Sequence, residues 1–170
     1  MICEIPKIEN FMTILNILSE PHPNLRKKSR DVNVIDQSIH QLVSNMIDTM
    51  YDANGVGLAA PQVNVRRRII TIDLGDLDDT NNVQEDNPFP LCMINPRIVM
   101  TSADTIEMNE GCLSVPGVYL PVTRPANISV EYINIYGVPI SLEAGGWLAR
   151  VIQHEIDHLD GKLMIDYGAL

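Results

Sequence analysis

The sequence predicts an α+β fold, with strands in the middle of the chain and helices toward both ends. Two observations support this prediction. Apolar residues recur at helical spacing over residues 36–52 and 144–159, and strand-like segments rich in β-branched residues lie between them. The 170 residues, of which 45% are hydrophobic, suffice for one domain with a sizeable core. We therefore predict a single domain over residues 1–170.

The first predicted helix runs from Asp36 to about Asp52, and Asn54 with Gly55 ends it. Its apolar residues share one helix face and its acids lie on the other face. These apolar residues are Ile39, Leu42, Val43, Met46, Ile47 and Met50. The β-branched run Ile69–Ile72 that follows predicts a strand.

Four more strand-like segments follow, at residues 91–94, 97–100, 128–135 and 138–142. Tyr136 and Gly137 predict a hairpin turn between the last two of them. The stretch from Gly75 to Pro90 is rich in acids and poor in aliphatic residues, which is typical of a long surface loop. The last helix is predicted from about Ala144 to Leu159.

Charge and hydropathy argue against several classes of partner. The chain has 12 Lys and Arg against 22 Asp and Glu, a net charge of −10 that repels a phosphate backbone, so we expect no nucleic-acid partner. Two basic clusters, at residues 26–30 and 66–68, lack interleaved aromatic residues and are interpreted as solvated turns. No apolar run approaches the ~20 residues that span a bilayer, so no membrane partner is expected. The acidic N-terminus does not resemble an export signal, and we expect a cytoplasmic protein with reduced cysteines.

The sharpest chemical signal is the His154-Glu155-Ile156-Asp157-His158 segment of the last helix. Residues four apart on a helix point the same way, so His154 and His158 can bind one metal ion. Glu155 lies close enough to reach a water at that ion without being a ligand. The alternative is a solvated helix face with two surface histidines.

Two histidines are too few for a catalytic metal, which usually has three protein ligands and one open position. Cys112 stands beside a glycine in the polar segment Glu110-Gly111-Cys112-Leu113-Ser114, and it is a candidate third ligand. From the residues alone, a ligand and an ordinary cysteine are equally good interpretations. Cys92 lies in an apolar segment and is interpreted as a core residue.

A third segment runs from Gly55 to Gln62 and contains two glycines. Glycines let a backbone approach a ligand closely, and a Gln amide can donate to a developing oxyanion. Taken alone, this segment also fits a helix end followed by a strand.

Together, and in this order, the three segments resemble the peptide deformylases, whose GxGLAAxQ, EGCLS and HExxH motifs are all present without a break. The resemblance extends from about Ile14 to Tyr167. It implies an α+β fold in which antiparallel sheets wrap around a central helix that carries the HExxH motif. It also implies a metal-dependent hydrolase that removes the N-formyl group from the N-terminal methionine of newly synthesised proteins and releases formate.

By this resemblance, one divalent metal ion is held by Cys112, His154 and His158. The expected native ion is Fe(II), and Zn, Ni or Co could occupy the same ligands. The resemblance makes Glu155 the general base. It also makes the Gln62 amide and the Leu113 N–H the donors to the oxyanion.

The resemblance further implies a substrate site for N-formylmethionyl peptides of nascent chains near the ribosome. Gly57 is expected to offer its backbone to the peptide. The expected apolar pocket is formed by Val56, Met108, Trp147 and Val151. Trp147 stands where many relatives carry leucine, which leaves the pocket width open, and part of this apolar set is equally well explained as core.

Two further polar residues have structural interpretations. Arg124 is expected to pair with Glu110, with contact to substrate as the alternative. Asp157 either orients a ligating histidine or is an exposed helix acid. Two other functions compete with the deformylase reading. One is a general metallopeptidase, which would rest on HExxH alone, and the other is a non-catalytic protein with a structural metal. A structural site usually has four protein ligands and would leave Glu155 without a task.

Overall fold

The computed structural model describes residues 13–75 and 89–168, and within them it shows a mixed α+β architecture. A five-stranded antiparallel sheet has the strand order β1-β2-β3-β6-β7, and β4 pairs with β5 in a second antiparallel sheet. The elements are α1 (Gln37–Asp52), β1 (Gly57–Ala59), β2 (Ile69–Ile72), β3 (Leu91–Thr101), β4 (Thr105–Cys112), β5 (Val115–Pro125), β6 (Asn127–Ile133), β7 (Pro139–Gly145) and α2 (Gly146–Leu159). The predicted α+β class is confirmed.

Helix α1 matches its prediction. The Asp36 side chain accepts hydrogen bonds from the N–H groups of Ser38 and Ile39, at 3.0 and 3.2 Å, and so caps the first turn. The apolar face packs against β1 and β2. This packing buries four apolar residues of the helix: Ile39, Val43, Met46 and Met50. Asn54, in the left-handed conformation at φ 53°, lies just beyond the helix end.

The segments predicted at 91–94 and 97–100 are one strand, β3, and the prediction of two strands is wrong. The chain kinks at Asn95, whose φ is 54°, and its register against β6 shifts between Ile94 and Arg97. The Asn95 side chain holds this kink, because it accepts from the Val32 N–H at 2.8 Å and donates to the Val32 carbonyl at 2.9 Å. A sequence pattern does not reveal that long-range support.

The hairpin of β6 and β7 is confirmed, with Gly137 in its turn at φ 81°. Strand β7 continues to Gly145, which pairs with Asn127, so α2 begins at Gly146 and not at about Ala144. The predicted loop at 75–90 lies outside the described residues for positions 76–88. Strands β4 and β5 were not predicted, and β4 is largely exposed with no clear apolar alternation. The three-residue β1 agrees with the alternative of a helix end followed by a strand in the Gly55–Gln62 segment.

Helix α2 lies between the two sheets. It packs against β1, β2 and β7 of the larger sheet, and its Arg150 reaches the carbonyls of Ile106 on β4 and Val122 on β5. Apolar residues such as Leu148 and Ile152 join the main core. The same helix also buries several polar side chains: Arg150, Gln153, His154, Glu155 and His158. So many buried polar groups on one central helix indicate a functional site. No helix within the described ranges is long and apolar enough to cross a bilayer.

Candidate metal centre

Three side chains that could hold a metal ion meet where β4 ends against α2. Cys112 is the last residue of β4, and His154 and His158 lie one turn apart on α2. One ligand atom from each of the three lies within 4.8 Å of the other two, and the Cys112 Sγ is 3.3 Å from His158 Nε2. A thiolate and two imidazoles suit Fe(II), Zn, Ni and Co alike, so the donor set fits the expected metal without choosing among these ions.

Glu110 orients one of the two histidines. Its Oε2 lies 2.9 Å from His154 Nδ1, and an ionised carboxylate only accepts, so Nδ1 carries the proton and Nε2 is left free for a metal. Burial would raise the pKa of Glu110, but hydrogen bonds from Arg124 and His154 hold it far below its usual range. Arg150 adds a further hydrogen bond, at 2.8 Å. Glu110 therefore stays ionised beside the site.

The expected pair between Arg124 and Glu110 is confirmed, with Arg124 Nη2 2.9 Å from Glu110 Oε2. Asp157 accepts from Arg124 Nη1 at 2.8 Å and from the Tyr167 hydroxyl at 2.8 Å. Asp157 thus hydrogen-bonds to Arg124, the arginine that pairs with Glu110, and not to either histidine.

The two histidines differ in their affinity for a proton. Burial lowers the pKa of His158 well below its usual value, so this ring is neutral, as a ligand must be. Burial also opposes a charge on His154, but hydrogen bonds to Cys112 and Glu110 raise its pKa to about 10. The metal-free His154 ring therefore also carries a proton on Nε2. A metal ion has to displace this second proton, because ligation requires the neutral ring.

The Glu155 carboxylate lies beside the ligand cluster at the floor of a cleft. It is buried, its Oε2 has no hydrogen-bond partner within residues 13–75 and 89–168, and burial raises its pKa to about 7. Its Oε1 lies against Gly57, where a Cβ would collide with it and would come within 2.8 Å of Val151 Cγ1. A carboxyl group that titrates near neutral pH can both accept and release a proton during a reaction.

The side chain of Gln62 has a defined orientation. Its Oε1 accepts from the Ala59 N–H at 2.8 Å, and a backbone N–H only donates, so the other end of the amide is the NH₂ group. This Nε2 lies 3.1 Å from Ser114 Oγ and 3.8 Å from Cys112 Sγ. An N–H donor thus faces the metal centre.

The cleft has a volume of about 590 Å³ and opens beside this centre. Seven predicted site residues line it besides two of the ligands: Val56, Gly57, Gln62, Leu113, Trp147, Val151 and Glu155. Met108 lies on β4 and is half-buried, but it is not part of the lining.

Two prominent lining residues were not predicted, Arg150 and Tyr119. Arg150 stands four residues before His154, so helical spacing could have identified it as facing the cleft. Tyr119 lies on β5, a strand that the sequence did not reveal, and nothing in the pattern points to it.

We expect Glu110→Gln to weaken metal binding by about 10- to 100-fold, because the neutral amide no longer anchors His154 and the two arginines as an anion does. Titration of the metal-free protein with zinc measures this. Glu107→Gln is the matched control, since Glu107 is an exposed acid on the same strand whose carboxylate meets Thr123. Equal zinc affinities for the two variants would contradict the orienting role.

We expect Gly57→Ala to lower kcat/KM by about 10-fold or more, because the new methyl group displaces the Glu155 carboxylate or narrows the cleft at Val151. Steady-state kinetics on a formylated dipeptide measure this. Gly168→Ala is the control, since its Cβ would meet the Leu120 side chain, with Cδ1 nearest at 3.2 Å, and neither residue lines the cleft. A Gly57→Ala enzyme of parental efficiency would show that the methyl group is accommodated.

Comparison with known proteins places this geometry in one family. Residues 14–169 match the family model described as polypeptide deformylase. The peptide deformylase of Orientia tsutsugamushi (strain Boryong) is 46% identical over 158 residues, which cover 92% of this chain and 87% of that protein. That of Nitrosococcus oceani is 47% identical over 156 residues, again covering 92% and 87%.

Solved structures agree with this assignment. The peptide deformylase of Ehrlichia chaffeensis has a TM-score of 0.82 at 40% identity, covering 92% of this chain and 89% of that one. That of Thermotoga maritima has a TM-score of 0.83 at 36% identity, covering 93% and 99%. These similarities agree with the three motifs that meet at the cleft and with the antiparallel sheets around α2. The chain belongs to the peptide deformylase family of metal-dependent hydrolases.

Proposed function

We propose that this chain hydrolyses the formamide bond of N-formylmethionyl peptides in the cleft above Glu155, as a single catalytic domain. The observation that carries the proposal is the buried Glu155 carboxylate beside the Cys112, His154 and His158 cluster. One of its oxygens has no hydrogen-bond partner in the part of the chain that the structure describes. Burying a carboxylate in this way is costly, and such a group is typical of a catalytic site.

Cys112, His154 and His158 are the residues proposed to hold one divalent metal ion. We propose Fe(II) as the native ion, with Zn, Ni and Co as ions that the same donors accept. When bound, such an ion acts as a Lewis acid and makes water a better nucleophile near neutral pH.

The chain's own residues divide the remaining work. The Glu155 carboxylate accepts the proton of the attacking water and later delivers it to the nitrogen of the leaving amine. The Gln62 Nε2 and the Leu113 N–H donate to the oxygen of the formyl group as negative charge develops on it. The hydrogen bond from the Ala59 N–H to Gln62 supports this assignment, because it orients the donor before substrate binds.

Apolar residues of the cleft are proposed to hold the methionine side chain of the substrate. Val56, Trp147 and Val151 supply apolar lining close to the ligand cluster, and Trp147 also packs against the main core. Gly57 leaves its backbone accessible to the peptide because it carries no side chain. Met108 lies outside the lining, so we do not include it in the proposed pocket.

The substrates that we propose are newly synthesised chains that still carry the formyl group. Such chains are met close to the ribosome in the cytoplasm, and we propose that the protein acts there.

Three substrates test the proposed reaction: formyl-Met-Ala, acetyl-Met-Ala and an unblocked peptide, each incubated with metal-loaded protein while formate and free amines are measured. We expect formate from the first substrate and little product from the others, because Gly57, Gln62 and Leu113 leave room for hydrogen on the reacting carbonyl but crowd a methyl group. Internal peptide cleavage without formate would indicate a metallopeptidase. No reaction with a full complement of metal would indicate a structural metal site.

A further inference from the structure

The two basic clusters of the sequence form one surface in the fold. Arg30 and Arg67 form an isolated parallel bridge. The Arg30 N–H donates to the Arg66 carbonyl at 3.2 Å, and the Arg68 N–H donates to the Arg30 carbonyl at 2.9 Å. Backbone pairing therefore places the arginines of residues 66–68 directly beside those of residues 26–30.

Two more cations extend this surface. Gly161 packs so closely on the Arg26 backbone that a Cβ there would collide with the Arg26 carbonyl, which puts Lys162 next to the cluster. Arg97 pairs with Asp31, the neighbour of Arg30, at 2.8 Å. We define the basic surface as Arg26, Lys27, Lys28, Arg30, Arg66, Arg67, Arg97 and Lys162. Every exposed Lys or Arg in residues 13–75 and 89–168 belongs to it.

Most of this positive charge is not neutralised locally. Arg26 and Arg97 pair with carboxylates, but no carboxylate of the described part of the chain pairs with Lys28, Arg30 or Arg66. The Arg67 guanidinium donates to the Asp31 carbonyl at 3.5 Å, and it forms no ion pair with the residues that the structure describes. Like charges held together without counter-charges repel one another, and an anionic partner would relieve that repulsion.

A polar cleft of about 710 Å³ opens beside the basic surface. Lys28 and Arg97 line it together with Ser29 and Arg68, and its three acids are already engaged with Arg68, Arg97 or Arg124. Lys28 and Arg97 are exposed, and both can donate to an anionic oxygen.

We propose that the basic surface binds the phosphate backbone of RNA. This inference rests on the proposed function, because nascent chains leave a particle whose surface is rich in RNA. Arginine supplies most of the surface, and its planar guanidinium group matches phosphate oxygens in pairs. Charge alone anchors a protein weakly to a membrane, which also needs an apolar or lipid anchor, so a lipid headgroup is the less suitable partner.

The acidic net charge does not oppose this binding at close range. At physiological ionic strength charges are screened over about 8 Å, so the local surface outweighs acids on other faces. No residue of the basic surface lines the cleft at the metal centre, so bound RNA leaves that cleft open to a peptide. The expectation from net charge and this proposal disagree, and a binding measurement decides between them.

The test compares two variants that each lower the net charge by three. Arg30→Gln, Arg66→Gln and Arg67→Gln together remove part of the basic surface. The control combines Ala103→Glu, Tyr136→Glu and Ser141→Glu, which are exposed positions on other parts of the fold. Fluorescence anisotropy with a labelled single-stranded RNA of about 20 nucleotides, between about 50 and 200 mM salt, measures binding. Hydrolysis of formyl-Met-Ala is measured separately, so loss of RNA binding and loss of enzymatic activity are distinguished.

We expect the parent and the control to bind with similar affinity, and the basic-surface variant to bind roughly 10- to 100-fold more weakly at low salt. The slope of log K against log salt should fall in magnitude by about 2, because each of the three lost phosphate contacts contributes about 0.7 to it. All three proteins should hydrolyse formyl-Met-Ala equally. Absence of RNA binding at low salt, or equal weakening in both variants, would overturn the proposal. Binding to vesicles of anionic lipid but not to RNA would also overturn it.

Discussion

Glu155→Gln is expected to retain the metal and to lower kcat by about 10²- to 10⁴-fold. The amide keeps the shape of the buried side chain, but it accepts no proton from water and delivers none to the amine. Because Glu155 is not one of the three clustered ligands, the metal content of the variant should equal that of the parent. Steady-state hydrolysis of formyl-Met-Ala and metal analysis on the same preparation measure both quantities.

Asp157→Asn is the matched control for this experiment. Asp157 lies two residues further along α2, but its carboxylate contacts Arg124 and Tyr167 outside the cleft. This variant should therefore lose much less activity than Glu155→Gln. A Glu155→Gln enzyme that works at the parental rate would exclude a general base at this position.

The pH profile provides a second readout for Glu155. A general base acts only when ionised, so kcat/KM should fall as the pH drops through its pKa. Burial raises that pKa to about 7, and a cation bound at the neighbouring ligands favours the carboxylate and shifts the fall to lower pH. The Glu155→Gln variant should lose this acid limb, and retention of the same limb would assign it to another group.

Cys112→Ala is expected to weaken metal binding by more than about 100-fold and to abolish turnover. The two histidines that remain cannot complete a three-ligand site, so the loss should exceed the effect of removing a supporting residue. Plasma mass spectrometry of protein purified without oxygen measures the bound metal. The parent should also gain thermal stability on loading with zinc, and the variant should not, because only binding to the folded state stabilises it.

Cys92→Ala is the control for the loss of a cysteine. Cys92 lies on β3, where burial raises the pKa of its thiol to about 12, so it is not a thiolate at neutral pH. This variant should retain a full complement of metal despite a modest loss of stability from the small cavity. Full metal occupancy in Cys112→Ala would remove the cysteine from the site.

Several features could be predicted because they depend on neighbours along the chain. Helical spacing alone placed His154 and His158 on one face, and the apolar periodicity located α1. Features that depend on distant partners were missed or misplaced. The kink at Asn95 needs the Val32 backbone, and the true start of α2 depends on the pairing of Gly145 with Asn127.

The sequence by itself determined the α+β class, the family and the candidate ligands. Motifs and periodicity depend on neighbours along the chain, so they can be identified without knowing which distant residues are in contact. Only the tertiary structure decided how the ligands are supported, because Glu110 meets His154, Arg124 and Arg150 through the pairing of β4 with β5 and their packing on α2. It also excluded Met108 from the cleft lining. The two basic clusters joined for the same reason: contacts between residues far apart in the chain form only when the whole core assembles.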